Sequence, residues 1–232
     1  APVRRLADKT QVFPLDKNVS IHTRLTHSYE VSNLARSIGN HLAHNFKPLQ
    51  DAVGKEVVRN IPSTLAAIGL AHDLGNPPFG HQGENIIRHW FKTADEKSGL
   101  LEKLTPAEKE DFLGFEGNAQ TLRVLTRLQV VDGKFGLNLT FGTLAALMKY
   151  PVASDKKKTG LGISYKKNGF FQSEKGLVEE IWKQTNLSEG VRHPLTYIME
   201  ACDDIAYSVL DAEDSVKKQL VSFSDLVAWL EN

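Results

Sequence analysis

The chain has 232 residues with 28 basic and 28 acidic side chains, 41% hydrophobic and 24% charged, which fits one large globular domain or at most two and excludes disordered, collagenous and low-complexity classes. No apolar run approaches the roughly 18 residues of a membrane span, and Arg4, Arg5, Asp8 and Lys9 interrupt any secretory stretch near the start. Net charge zero removes a whole-molecule attraction for nucleic acid or nucleotide phosphate, so an anionic ligand needs local groups.

The first residue is Ala1 and Arg4-Arg5-Leu6 follow almost at once, so the chain reads as a fragment of a longer protein. From His27 to Phe46, Val31, Leu34, Ala35, Ile38 and Leu42 recur as one buried helical face. Pro62 and Ser63 read as the start of a second helix carrying Leu65, Ala66, Ile68 and Leu70 to His72-Asp73, where Gly75-Asn76-Pro77-Pro78-Phe79-Gly80 stops it. The charged stretch from Lys92 to Glu110 reads as surface helix and loop. A further helix over about Glu116 to Leu128 directs Ala119, Leu122, Leu125 and Leu128 to a core.

Phe135 to Thr140 reads as a short extended piece, and Thr143 to Lys149 as a helix ended by Tyr150-Pro151. Between Lys156 and Lys175, six lysines, interspersed glycines and few aliphatics predict a mobile basic loop or hairpin. The last strong helix opens at His193-Pro194 and passes Asp211, with Ile198, Ala201, Cys202, Ile205 and Val209 as its apolar stripe. Cys202 is then a small core residue; as the lone cysteine it excludes an internal disulfide and points to a reducing, cytoplasmic compartment. There is no internal repeat, no G-x-x-x-x-G-K-[ST] loop and no strand–helix alternation, so Walker and Rossmann readings lack support.

Chemistry concentrates in His27, His72-Asp73, His81 with Glu84, and Asp203-Asp204. A lone histidine at a helix start is more often a cap than a ligand, but an adjacent His-Asp ending an apolar helix is costly to bury without a partner. Two imidazoles and two carboxylates make a mixed nitrogen and oxygen set for one divalent cation, with positions left for water and a phosphate oxygen. Within the acidic pair, Asp203 shares a polar stripe with Tyr207 and Asp211 at i, i+4, i+8, which favours Asp203 over Asp204. Glu84 stands three residues after His81, close enough on a helix to hold its imidazole and suit it to general acid work.

These residues, set in Lys9-Thr10-Gln11-Val12-Phe13-Pro14, Thr23-Arg24-Leu25-Thr26-His27-Ser28, HDLGNPPFGHQGE, Phe115-Glu116-Gly117-Asn118-Ala119-Gln120, Lys149-Tyr150-Pro151 and His193-Pro194-Leu195-Thr196-Tyr197, resemble the HD-domain phosphohydrolases and, more narrowly, the deoxyguanosine triphosphate triphosphohydrolases. The resemblance covers nearly the whole chain. It implies an all-α HD-domain fold with a short basic insertion, residues 1–232 forming one HD domain without the helices that complete the nucleotide pocket. By resemblance the metal ligands would be His27, His72, Asp73 and Asp203, holding one divalent ion, Mg or Mn before Zn, Ni, Co or Fe. His81 and Glu84 match the catalytic pair, Arg24 a phosphate-holding arginine, Lys149 and Tyr150 part of a triphosphate grip, and Tyr207, Asp211 and Gln11 the deoxyribose contacts. Gly117 stands where many relatives carry histidine.

The implied reaction is hydrolysis of dGTP, or other dNTPs, to deoxynucleoside and inorganic triphosphate. The implied partners are the nucleotide, further copies of the chain as a hexamer, and single-stranded DNA, with no membrane. Two other readings stay open: an HD phosphohydrolase acting on nucleoside monophosphates or cyclic nucleotides, and a non-catalytic nucleotide- or DNA-binding module.

Overall fold

Regular structure is helical throughout the computed structural model, which describes residues 2–13, 22–129, 136–158 and 160–231; among these there is no strand. A 3-10 turn, Pro2–Leu6, plants Leu6 in the core. Helix α1, Arg24–Asn45, begins on a capping box in which the Thr23 hydroxyl accepts from the Thr26 amide and the Thr26 hydroxyl accepts from the Thr23 amide. The short α2, Lys47–Val53, turns the chain toward α3, Val57–Ala71.

Helix α3 starts five residues before Pro62, which lies inside it. Lacking an N–H, this proline leaves one helical hydrogen bond unmade, yet it is buried with Leu65 in the α1–α3 contact. The two helices approach closely at Gly69, where a Cβ would come within 2.9 Å of the Ser32 backbone. The Ser32 hydroxyl donates to the Ala66 carbonyl across the same contact at 2.8 Å. This close pairing fixes the register of His27 on α1 against His72 at the end of α3.

Helices α4, Gly80–Ser98, and α5, Pro106–Leu113, form the charged surface region. Helix α6, Gly117–Arg123, runs into a π-helical turn, Val124–Leu128. That extra residue per turn rotates the end of the element, so Ala119, Leu122 and Leu125 are buried as the spacing predicts while Leu128 faces solvent. Phe135 lies outside the described residues; from Gly136 to Thr140 the chain forms a turn and an irregular stretch, with no extended pairing.

Helix α7, Phe141–Leu147, and α8, Lys175–Thr185, enclose a second apolar cluster of Leu122, Leu144, Ala145, Met148, Val178 and Ile181. The segment expected to be a mobile basic loop is anchored there: Phe170 is 1% exposed and Asn168 is fully buried. It contains two 3-10 turns and an isolated bridge from Ala153 to Phe170. Among the described residues of the segment no hairpin forms; the scarcity of aliphatics misleads because aromatics do the anchoring.

Helix α9, Pro194–Lys217, crosses α1 and α3 and completes the main core. Its buried face is Met199, Cys202, Ala206 and Leu210. Ala201, Ile205 and Val209, expected inside, are exposed, so the apolar face is turned by about one residue, 100°. Helix α10, Phe223–Leu230, buries no residue. No described helix is long and apolar enough to cross a membrane.

Candidate functional site

Three helices deliver the site. The first turn of α1 carries His27, the end of α3 carries His72 and Asp73, and the middle of α9 carries Asp203. His27 Nε2 lies 3.0 Å from Asp203 Oδ1, and His72 Nε2 lies 3.4 Å from the same oxygen and 3.6 Å from Asp73 Oδ1. Asp203, not Asp204, meets the imidazoles, although both line the cavity.

His72 Nδ1 donates to the Gly69 carbonyl at 2.7 Å, which fixes the tautomer and leaves Nε2 buried with no hydrogen-bond partner. A ligating histidine is held in this way, one nitrogen on a carbonyl and the other turned to the cation position, its proton given up when a metal binds. His27, His72 and Asp73 can place one ligand atom each within 4.8 Å of one another, so this donor set suits a divalent cation.

Charge is balanced within the cluster. Burial alone pushes the His72 imidazole down, but the Asp73 and Asp203 carboxylates outweigh it and raise it to about 9. Burial favours the neutral acids, yet His72 and Arg24 hold Asp73, and His27 and His72 hold Asp203, below the usual carboxylate range. Arg24, 8% exposed, binds the other Asp73 oxygen.

A cavity of about 790 Å³ opens above this floor, lined among others by Gln11, Arg24, Lys149, Tyr150, Lys167 and Tyr207. Lys149 is held 3.1 Å from Glu200 and 4.0 Å from Asp203; burial pushes its ammonium pKa down, but Tyr150, Glu200 and Asp203 carry it above the usual value. Lys167 sits 3.3 Å from the buried Glu116. Of the basic segment, Lys167 reaches this cavity, whereas Lys157 contacts the Gly114 carbonyl and Lys156 and Lys158 do not line it.

His81 is brought over the cavity by a sharp reversal. Phe79, a non-glycine residue with φ 64°, caps α4 in the left-handed region, and Gly80 follows at φ 52°. The His81 side chain is 79% exposed, and its Nδ1 is 2.8 Å from Glu84 Oε2. Glu84 is almost fully buried behind it and accepts from the Gly117 amide at 2.7 Å. His81 therefore stands apart from the four-residue cluster, its imidazole held by Glu84 at the mouth of the cavity.

Asp211 does not line the cavity; it lies one turn beyond Tyr207 on α9. Asn76, Asn118 and Lys167, which carry no individual signal in the sequence, also line the cavity. Their signal was present only as membership of longer motifs or of a lysine run.

The HD domain family matches residues 24–120. A deoxyguanosinetriphosphate triphosphohydrolase-like protein of Listeria monocytogenes is 49% identical over the whole chain, which covers 51% of that relative. One of the same description from Pseudomonas aeruginosa is 42% identical over 98% of the chain and 52% of its own length. A deoxyguanosinetriphosphate triphosphohydrolase of Yersinia enterocolitica is 37% identical over 97% of the chain and 49% of its length. The chain thus spans about half the length of the curated relatives it matches.

Proposed function

Because the chain belongs to the HD-domain family, in its deoxyguanosinetriphosphate triphosphohydrolase branch, we propose that its 232 residues form one HD domain of a metal-dependent nucleotide phosphohydrolase acting on dGTP. The products would be deoxyguanosine and inorganic triphosphate. The observation that carries this reading is the convergence of His27, His72, Asp73 and Asp203 under a cavity walled by Arg24, Lys149 and Lys167.

His27, His72, Asp73 and Asp203 would hold the divalent ion, which when bound supplies Lewis acidity at the α-phosphoryl group and a positioned water. Arg24, already fixed on Asp73, lies beside that floor, and with Lys149 and Lys167 it opposes the charge of the polyphosphate. Glu84 holds the His81 imidazole so that it can pass a proton to the departing 5′-oxygen. Tyr207 and Gln11 would flank the deoxyribose, with Asp211 one turn further along α9. By the same resemblance the whole protein would assemble with its own copies and contact single-stranded DNA.

Incubation of the protein with each dNTP and Mn2+, followed by separation of phosphate products, tests the reading. Free triphosphate with deoxyguanosine is expected. Monophosphate or pyrophosphate products would replace it with another phosphohydrolase activity, and nucleotide binding without turnover would leave a binding module.

A further inference from the structure

Asp73 is gripped from two directions. Arg24 takes one carboxylate oxygen and the Asn76 side-chain amide donates to the other. Asn76 is itself held by its backbone: its amide donates to the Asp73 carbonyl at 3.1 Å, and its carbonyl accepts from the Lys9 ammonium. The residue that closes on this arrangement from α6 is Gly117. A Cβ there would lie 2.2 Å from Asn76 Oδ1 and 3.2 Å from Asn76 Cα. Gly117 is not among the residues of positive φ, so its backbone does not require glycine. What glycine supplies at 117 is room.

We propose that Asn76 is a positioning residue of the metal centre, orienting the Asp73 carboxylate, and that Gly117 provides the space in which the Asn76 side chain sits. The inference rests on the metal centre proposed above. A carboxylate ligand left free to rotate must be ordered by the cation itself, and losing such an outer partner lowers metal affinity about 10–100-fold. A side chain at 117 acts on the cation at one remove, by driving the Asn76 amide off Asp73. Its other close neighbour, Glu84 Oε1 at 2.9 Å, accepts from the Gly117 amide while Oε2 holds His81; that carboxylate serves His81 and not Asp73, so metal affinity isolates the Asn76 effect.

The test is calorimetric titration of the 232-residue chain with Mn2+, comparing the unsubstituted protein, Asn76→Ala, Gly117→Ala and the double variant, each checked by thermal melting without metal. Expected are a 10–100-fold weaker dissociation constant for each single variant, and a double variant no weaker than Asn76→Ala, because the alanine at 117 then has no amide to displace. Should Gly117→Ala alone fail to fold, recovery of folding in the Asn76→Ala background reports the same displacement. Unchanged affinity in a folded Asn76→Ala variant overturns the inference while the metal centre stands, as does a double variant whose loss is the product of the two single losses. If the unsubstituted chain binds no Mn2+, the metal centre falls and this inference with it.

Discussion

His72 is buried among acids, and in the metal-free chain a proton takes the place of a cation there. Its folded value of about 9 stands above the unfolded 6.5, so the stabilisation it contributes is complete below pH 6.5 and is lost as pH rises through 9. The melting temperature of the metal-free protein should fall across that window, and excess Mn2+ should flatten the fall; a flat profile without metal would contradict the charge balance described for the cluster. His81 behaves differently, being exposed, outside the cluster and held by Glu84. His81→Ala should lower turnover on the order of a hundredfold or more and leave Mn2+ titration unchanged, and parallel loss of metal would make it a ligand. At this scale the sequence was informative wherever residue type announces chemistry, as with His27 or Asp203. Asn76 gave no such signal, because its role depends on a contact with Asp73 and on the space at Gly117.

Among the elements, periodicity located the helices but not their rotation or ends. On α9 the pattern through Ile198 and Cys202 was right, yet Ile205 and Val209 are exposed and Ala206 and Leu210 buried; two apolar faces lie side by side on this helix, and only packing against α1 and α3 selects one. Pro62 looked like a start because proline is favoured in a first turn, and the preceding turn from Val57 was invisible without its burial in the α1–α3 contact. The basic segment looked solvated because its lysines outnumber its anchors. Phe170→Ala should accordingly destabilise the protein by about 3–5 kcal/mol in denaturant unfolding, since the ring is 1% exposed in the second cluster. Trp229→Ser, on a helix that buries nothing, should change stability by no more than about 0.5 kcal/mol. Equal effects would mean that the segment holding Phe170 is not packed as described.

Across the whole molecule, apolar spacing marks most of the long helices, the all-α class comes with the family resemblance, and the candidate site residues sit in motifs scattered along the chain, of which Gln11, Arg24, Lys149, Tyr150 and Tyr207 line one cavity while Asp211 does not. The convergence itself could not be read from spacing, because it depends on how closely α1 and α3 approach at Gly69 and on the angle at which α9 crosses them. Those are tertiary facts with no local signature. The chain distance they span has a mechanical consequence: the contact of His27 with Asp203 joins positions 176 residues apart. A cation bound there would act as a removable cross-link, tying the first described long helix to the last one that enters the core. Bound to the folded chain alone, metal at a hundredfold excess over its dissociation constant adds about 2.7 kcal/mol of stability. Chelation should then do more than stop turnover: it should lower the melting temperature and let α9 separate from α1, which protease digestion with and without chelator would detect as new cleavage in the 194–217 region.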